Sequence, residues 1–185
     1  MKEQKMSNKL TGAGANSLEV LDFNTAIAAC DLAINPPPPK TKSSAKTTSQ
    51  PAPTAADYLC RAYARCFVDE KDNANFNKAI ADCSTAIALN PTLYTAYRIR
   101  AYAYYMKGDY AIALEDCTKV RDKGDAEDCA FVLELLTKIY LDAEQYEAVI
   151  KEIKAFLPRS NSNVFYSLSI METYKQACQK LQSNK

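Results

Sequence analysis

Seven cysteines carry most of the reactive chemistry in this chain: Cys30, Cys60, Cys66, Cys83, Cys117, Cys129 and Cys178. Their number is odd, and no two stand as C-x-x-C, the spacing of zinc ribbons and dithiol redox motifs. Most lie inside apolar helical patterns, where cysteine behaves as a small hydrophobe. That usage implies a reducing compartment, and a cytoplasmic location is expected. Cys60 and Cys66 are six residues apart, and the sequence offers them no convergent partner for a metal or redox role. Histidine is absent. Its absence removes the commonest general base and metal ligand, and with them a Ser-His-Asp triad, a Cys-His dyad and a His-containing zinc site. Four glycines in 185 residues do not make a Gly-rich phosphate loop. Arg61 and Arg100 admit two readings, anion binding or a side chain lying over its neighbours with its head in water, and the second is preferred.

The charge balance narrows the partners. Lys plus Arg is 23 and Asp plus Glu is 22, a net charge of +1. This is no electrostatic footprint for nucleic acid or an anionic membrane. No apolar stretch approaches membrane-spanning length, so no membrane insertion is expected. No enzymatic constellation, cofactor site or metal site is therefore expected, and no nucleic-acid partner.

The elements that position these residues read as helices. Apolar residues recur at three and four, as in Ile80-Cys83-Ile87 and Leu133-Leu136-Tyr140. Turns are expected near Asn90-Pro91, Gly108, Lys123-Gly124 and Pro158-Arg159-Ser160. A last helix is expected from about Asn163 to Leu181, capped by Asn161 or Ser162. Its apolar stripe reads Val164, Leu168, Met171, Cys178 and Leu181. Pro36 to Thr54 differs in composition, with six of the eight prolines, three lysines and no acidic residue. It has too little apolar surface for a core and is expected to be a flexible linker.

An internal repeat organises the helices. Phe23-Asn-Thr-Ala-Ile-Ala-Ala-Cys30 matches Phe76-Asn-Lys-Ala-Ile-Ala-Asp-Cys83 and Tyr110-Ala-Ile-Ala-Leu-Glu-Asp-Cys117. Ala79 and Ala113 are 34 residues apart. Tyr97, Ala101, Tyr104, Gly108, Tyr110 and Ala113 form the fullest unit. Tyr58, Ala62, Phe76, Ala79, Ala86 and Pro91 form the one before it. Leu10, Gly14, Phe23, Ala26, Ala33 and Pro38 form a first unit, and Leu133, Leu136, Tyr140, Tyr146 and Val149 a divergent fourth. With these residues the chain resembles the tetratricopeptide-repeat family over nearly its whole length. The resemblance implies an all-α fold, a right-handed α-α superhelix of three to four helix-turn-helix repeats with a C-terminal capping helix. It divides the chain into a first repeat over 1–38, the linker over 39–54, repeats two to four over 55–161, and a capping helix and tail over 162–185.

The resemblance also implies where a partner binds, because first helices line a concave groove in that family. On that reading the groove residues are Leu59, Tyr63, Arg98, Tyr102, Tyr105 and Lys138, with Glu134 beside the last. Some members hold chaperone tails with a carboxylate clamp. The matching positions here are Thr11, Ala15, Cys60, Thr95 and Ile99, and none agrees with the clamp. The expected function is an interaction module that binds a partner's peptide or helix. A co-chaperone-type adaptor is the alternative, disfavoured by the missing clamp, and an enzyme stands behind both.

Overall fold

Side-chain caps set where several helices begin. Thr54 and Asp57 form a reciprocal capping box. The Asp57 carboxylate accepts from the Thr54 backbone N–H at 2.8 Å, and the Thr54 hydroxyl oxygen accepts from the Asp57 N–H at 3.4 Å. These bonds hold the Asp57 carboxyl below its ordinary range. The cap is therefore complete above that range and is lost as acid protonates Asp57. Asp22, Asp72 and Asp125 cap three further helices through backbone N–H groups of Asn24, Ala74 and Asp128.

The computed structural model describes residues 22–37, 52–69, 72–156 and 168–183. Within them lie helices α1 (Phe23–Ile34), α2 (Ala55–Val68), α3 (Asn73–Leu89), α4 (Tyr94–Met106), α5 (Tyr110–Lys123), α6 (Ala126–Asp142), α7 (Tyr146–Phe156) and α8 (Leu168–Ser183). All regular structure among the described residues is helical, and neighbouring helices pack in chain order, α1 on α2 on α3 and α5 on α6 on α7 on α8. Most of the expected linker lies outside the described residues. So do Leu10, Thr11, Gly14, Ala15 and Pro38, the turn at Pro158-Arg159-Ser160, and Asn161, Ser162, Asn163 and Val164. The turns expected at Asn90-Pro91, Gly108 and Lys123-Gly124 separate α3 from α4, α4 from α5 and α5 from α6.

The chain divides into two compact units, Met1–Ile99 and Arg100–Lys185. The first has a core of small residues. Ala62, Ala64, Cys66, Phe76, Ala79, Cys83 and Ala86 are buried on α2 and α3. Such side chains let helix axes approach closely. In the second unit Ala101, Ala103, Ala113, Cys117 and Val120 are buried on α4 and α5. Leu133, Tyr146, Val149, Ile153, Ile170 and Ala177 form a larger-residue cluster shared by α6, α7 and α8.

The stripe expected on the last helix needs correction in part. Helix α8 buries Ile170, Thr173 and Ala177, while Met171 is 53 % exposed. Leu181 of the expected stripe does pack against the core cluster, and Cys178 is half-buried. Ala177 contributes little to a hydrophobic pattern but allows close approach, so the larger Met171 misled the register. Tyr110, an aromatic of the fullest repeat unit, is 42 % exposed, and its ring leans on Tyr105 at a centroid distance of 5.7 Å.

The turn before α5 and the turn before α7 share one geometry. Gly108 has φ 83, and the N–H groups of Gly108 and Asp109 donate to the carbonyls of Tyr105 and Tyr104, each at 2.9 Å. Glu144 has φ 56, and the N–H groups of Glu144 and Gln145 donate to Leu141 and Tyr140 at 3.0 and 2.8 Å. Both left-handed residues stand two positions before the aromatic of the second helix, Tyr110 or Tyr146. The divergent fourth unit thus keeps the turn of the third but puts a β-carbon where glycine fits better. Where α5 ends, the Gly124 N–H donates to the Val120 carbonyl at 2.6 Å, and the Cys129 sulfur lies 3.4 Å from the oxygens of Val120 and Gly124.

Two stability changes follow. Glu144→Gly removes left-handed strain, and a gain of about 1 kcal/mol is expected in the denaturation midpoint analysis. Ala101, 0 % exposed, has no room for a branched side chain. Ala101→Leu is expected to cost about 1–3 kcal/mol in the same measurement.

Candidate functional site

The charged chemistry of the first unit converges on Asp82. Arg61 on α2 donates from Nε to Asp82 Oδ2 at 2.9 Å and from Nη2 to Oδ1 at 2.6 Å, a bidentate fork onto a buried carboxylate of α3. Its remaining Nη1 donates to Asp31 on α1 at 2.6 Å. Arg65, one turn along α2, adds a further bond to Asp82. One guanidinium therefore joins three helices. These bonds raise the Arg61 pKa above its ordinary value, the bond to Asp82 most of all, so it stays charged despite burial. Arg100 repeats the arrangement in the second unit, with Nε and Nη2 donating to Asp116 at 2.7 and 2.9 Å. Neither Arg61 nor Arg100 lies over its neighbours with its head in water, as the sequence suggested; each is held by an internal carboxylate.

Those carboxylates were missed although the sequence marks them. Asp82, Asp116 and Glu152 each follow the aromatic of their second helix by six residues, after Phe76, Tyr110 and Tyr146. Glu152 receives Arg121 Nη1 at 3.0 Å. The signal is a repeated aromatic-x₅-acid column directly before the Cys column, and it pairs with arginine in the second, third and fourth units.

The six expected groove residues fall into two sets. In the first unit Leu59 and Tyr63 are half-buried on α2. The Tyr63 ring packs on Phe67 at 4.7 Å, one helical turn away. Arg98, placed by the sequence on an exposed stripe, is only 4 % exposed. It influences Tyr63 by charge. Burial raises the Tyr63 phenol above its ordinary value while the Arg98 charge opposes that shift.

In the second unit Tyr102 and Tyr105 are half-buried on α4. Tyr102 meets Phe131 of α6 edge to face at 6.2 Å and 60°. Burial, then Asp142 and Tyr110, raise the Tyr105 phenol. Lys138 is half-buried on α6, with Nζ 3.4 Å from Glu134 one turn earlier. Both sets thus present half-buried aromatic rings, each in contact with a neighbouring ring.

Nucleophile chemistry is not tuned at these faces. Burial raises the thiols of Cys30 and Cys60, and pushes those of Cys66 and Cys117 up to about 12. Among the described residues no cluster of three or more Cys, Asp or Glu side chains is arranged to hold a metal ion. No described helix is long and apolar enough to cross a membrane.

Asp82→Ala is expected to destabilise the chain by about 3–5 kcal/mol, because the buried Arg61 and the half-buried Arg65 lose their shared carboxylate. Urea unfolding followed by far-UV circular dichroism checks it. No protein-family model matches this chain, and neither a curated protein nor a solved structure matches it.

Proposed function

We propose that this chain is a tetratricopeptide-type interaction module, a helical solenoid that binds a peptide or helix of a partner protein through the faces of its first helices. The observation that carries the reading is the set of braced, half-buried rings Tyr63, Tyr102 and Tyr105. A ring fixed by a neighbour loses little entropy on binding, and tyrosine is enriched among residues that dominate interfaces. Leu59 adds apolar surface beside Tyr63. Lys138 with Glu134 contributes a polar rim.

The burial of Arg98 and the Lys138–Glu134 pair bear on the chemistry of the ligand. An acidic peptide would find few uncommitted cations at these faces. The favoured ligand carries aromatic or aliphatic anchors, and its binding tolerates salt.

The test is retrieval of partners from native lysate by the immobilised chain. Tyr63→Ala with Tyr102→Ala is expected to cut recovery about tenfold or more with an unchanged helical spectrum, as loss of two interface anchors predicts. Recovery by the parent chain is expected to persist at about 1 M salt, where screening acts within about 3 Å. Equal recovery by a well-folded double variant removes these faces as the binding surface.

A further inference from the structure

The partner that the sequence did not show for Cys60 stands on another helix. Helices α1 and α2 run antiparallel. Phe23, at the start of α1, packs on Phe67 near the end of α2 with ring centroids 6.3 Å apart. Asp31, near the end of α1, accepts from Arg61 in the middle of α2 at 2.6 Å. In an antiparallel pair, consecutive residues that straddle the contact line match in the same order on both helices, since each step turns by about 100°. With Asp31 and Arg61 meeting on one flank, Cys30 and Cys60 fall together on the other.

The electrostatics agree with that placement. Burial raises the Cys30 thiol, and Cys60 raises it next, ahead of Arg61, Asp57 and Asp31. Cys60 is exposed and Cys30 half-buried, so a reagent in solution reaches Cys60 first.

We propose that Cys30 and Cys60 form a redox-responsive pair that closes a reversible disulfide between α1 and α2, with a small-molecule disulfide as oxidant. The Cys60 thiolate attacks one sulfur of that disulfide. The S–S bond breaks, one small thiolate leaves and takes up a proton, and Cys60 carries a mixed disulfide. The Cys30 thiolate then attacks the Cys60 sulfur and displaces the second small thiolate. Two protein thiols are oxidised, and one disulfide is reduced to two thiols.

Both thiols are held above their ordinary values, so little thiolate is present near neutral pH. The pair closes slowly and follows a sustained change in thiol–disulfide ratio. Its effect falls on α1. Ile34 is the buried residue of that helix, and the Asp31 side chain that ties it to α2 is 47 % exposed. A helix with so little buried surface opens readily, and a covalent link to α2 restrains it.

The experiment equilibrates the full chain in mixtures of reduced and oxidised glutathione, quenches with acid, alkylates and maps peptides by mass spectrometry. A Cys30–Cys60 cross-linked peptide is expected from the folded chain. It is expected to persist in Cys178→Ser and to disappear with dithiothreitol. In Cys30→Ser, Cys60 is expected to remain as a mixed disulfide with glutathione. Amide exchange in α1 is expected to slow about tenfold or more on oxidation, as restraint of a locally opening helix predicts. The proposal is overturned if the oxidised native chain holds Cys60 as a mixed disulfide while Cys30 is still alkylated. It is equally overturned if the cross-link forms only in urea.

Discussion

The carboxylate of Asp82 is the group on which the first unit depends. It is 4 % exposed, and an ionised carboxylate at that depth requires matched donors. The Arg61 fork and the Arg65 bond from the next turn of α2 supply them. Because Arg61 also reaches Asp31, the charge requirement of α3 is met by a residue that simultaneously fixes α1. Packing alone would specify less. A surface built from Ala62, Ala64, Ala79 and Ala86 brings helices close but changes little when one slides by a turn along the other. The bidentate fork has one geometry that works, and that geometry selects the register.

The same division of labour runs along the repeat. The position three after the aromatic holds Ala26, Ala79, Ala113 and Val149, and the position seven after it holds Cys30, Cys83, Cys117 and Ile153. Small residues at both positions keep the second and third units slim, and their carboxylates at position six carry the orientation. The fourth unit departs in a consistent way. It replaces Ala by Val and Cys by Ile, both of them buried, and its acid is Glu152, whose longer side chain reaches Arg121. Larger core residues require more separation between helices, and the longer acid suits that separation.

What could be read from sequence followed from rules that act within one helix. The 3.6-residue period located the helices, and Gly108 and Gly124 marked ends that the structure places there. The burial of Ala101 followed from its place in the repeated motif. The failures arose where two helices must be known together. Arg61 finds Asp82 21 residues away and Asp31 30 residues away, and Arg100 finds Asp116 at 16. No single-helix pattern contains those pairings. Arg98 was assigned to the groove face by counting helical turns from the repeat motif, and it is instead buried. Met171 attracted the buried face of α8 by its size, whereas the helix is seated by Ala177.

The use of charge inside the fold also shapes what its surface can recognise. Arg61, Arg65, Arg100 and Arg121 all close onto carboxylates of neighbouring helices or turns, and Lys138 closes onto Glu134. A cation already paired binds an incoming carboxylate only by giving up its partner, and at a buried site that leaves an uncompensated charge behind. These five cations therefore offer little attraction to an acidic ligand. The rings of Tyr63, Tyr102 and Tyr105 are under no such constraint, because each is only half-buried and rests on another ring. On the proposed reading, selection of a partner rests on apolar anchors that fit against these rings, and the pairing that sets helix register leaves recognition to shape.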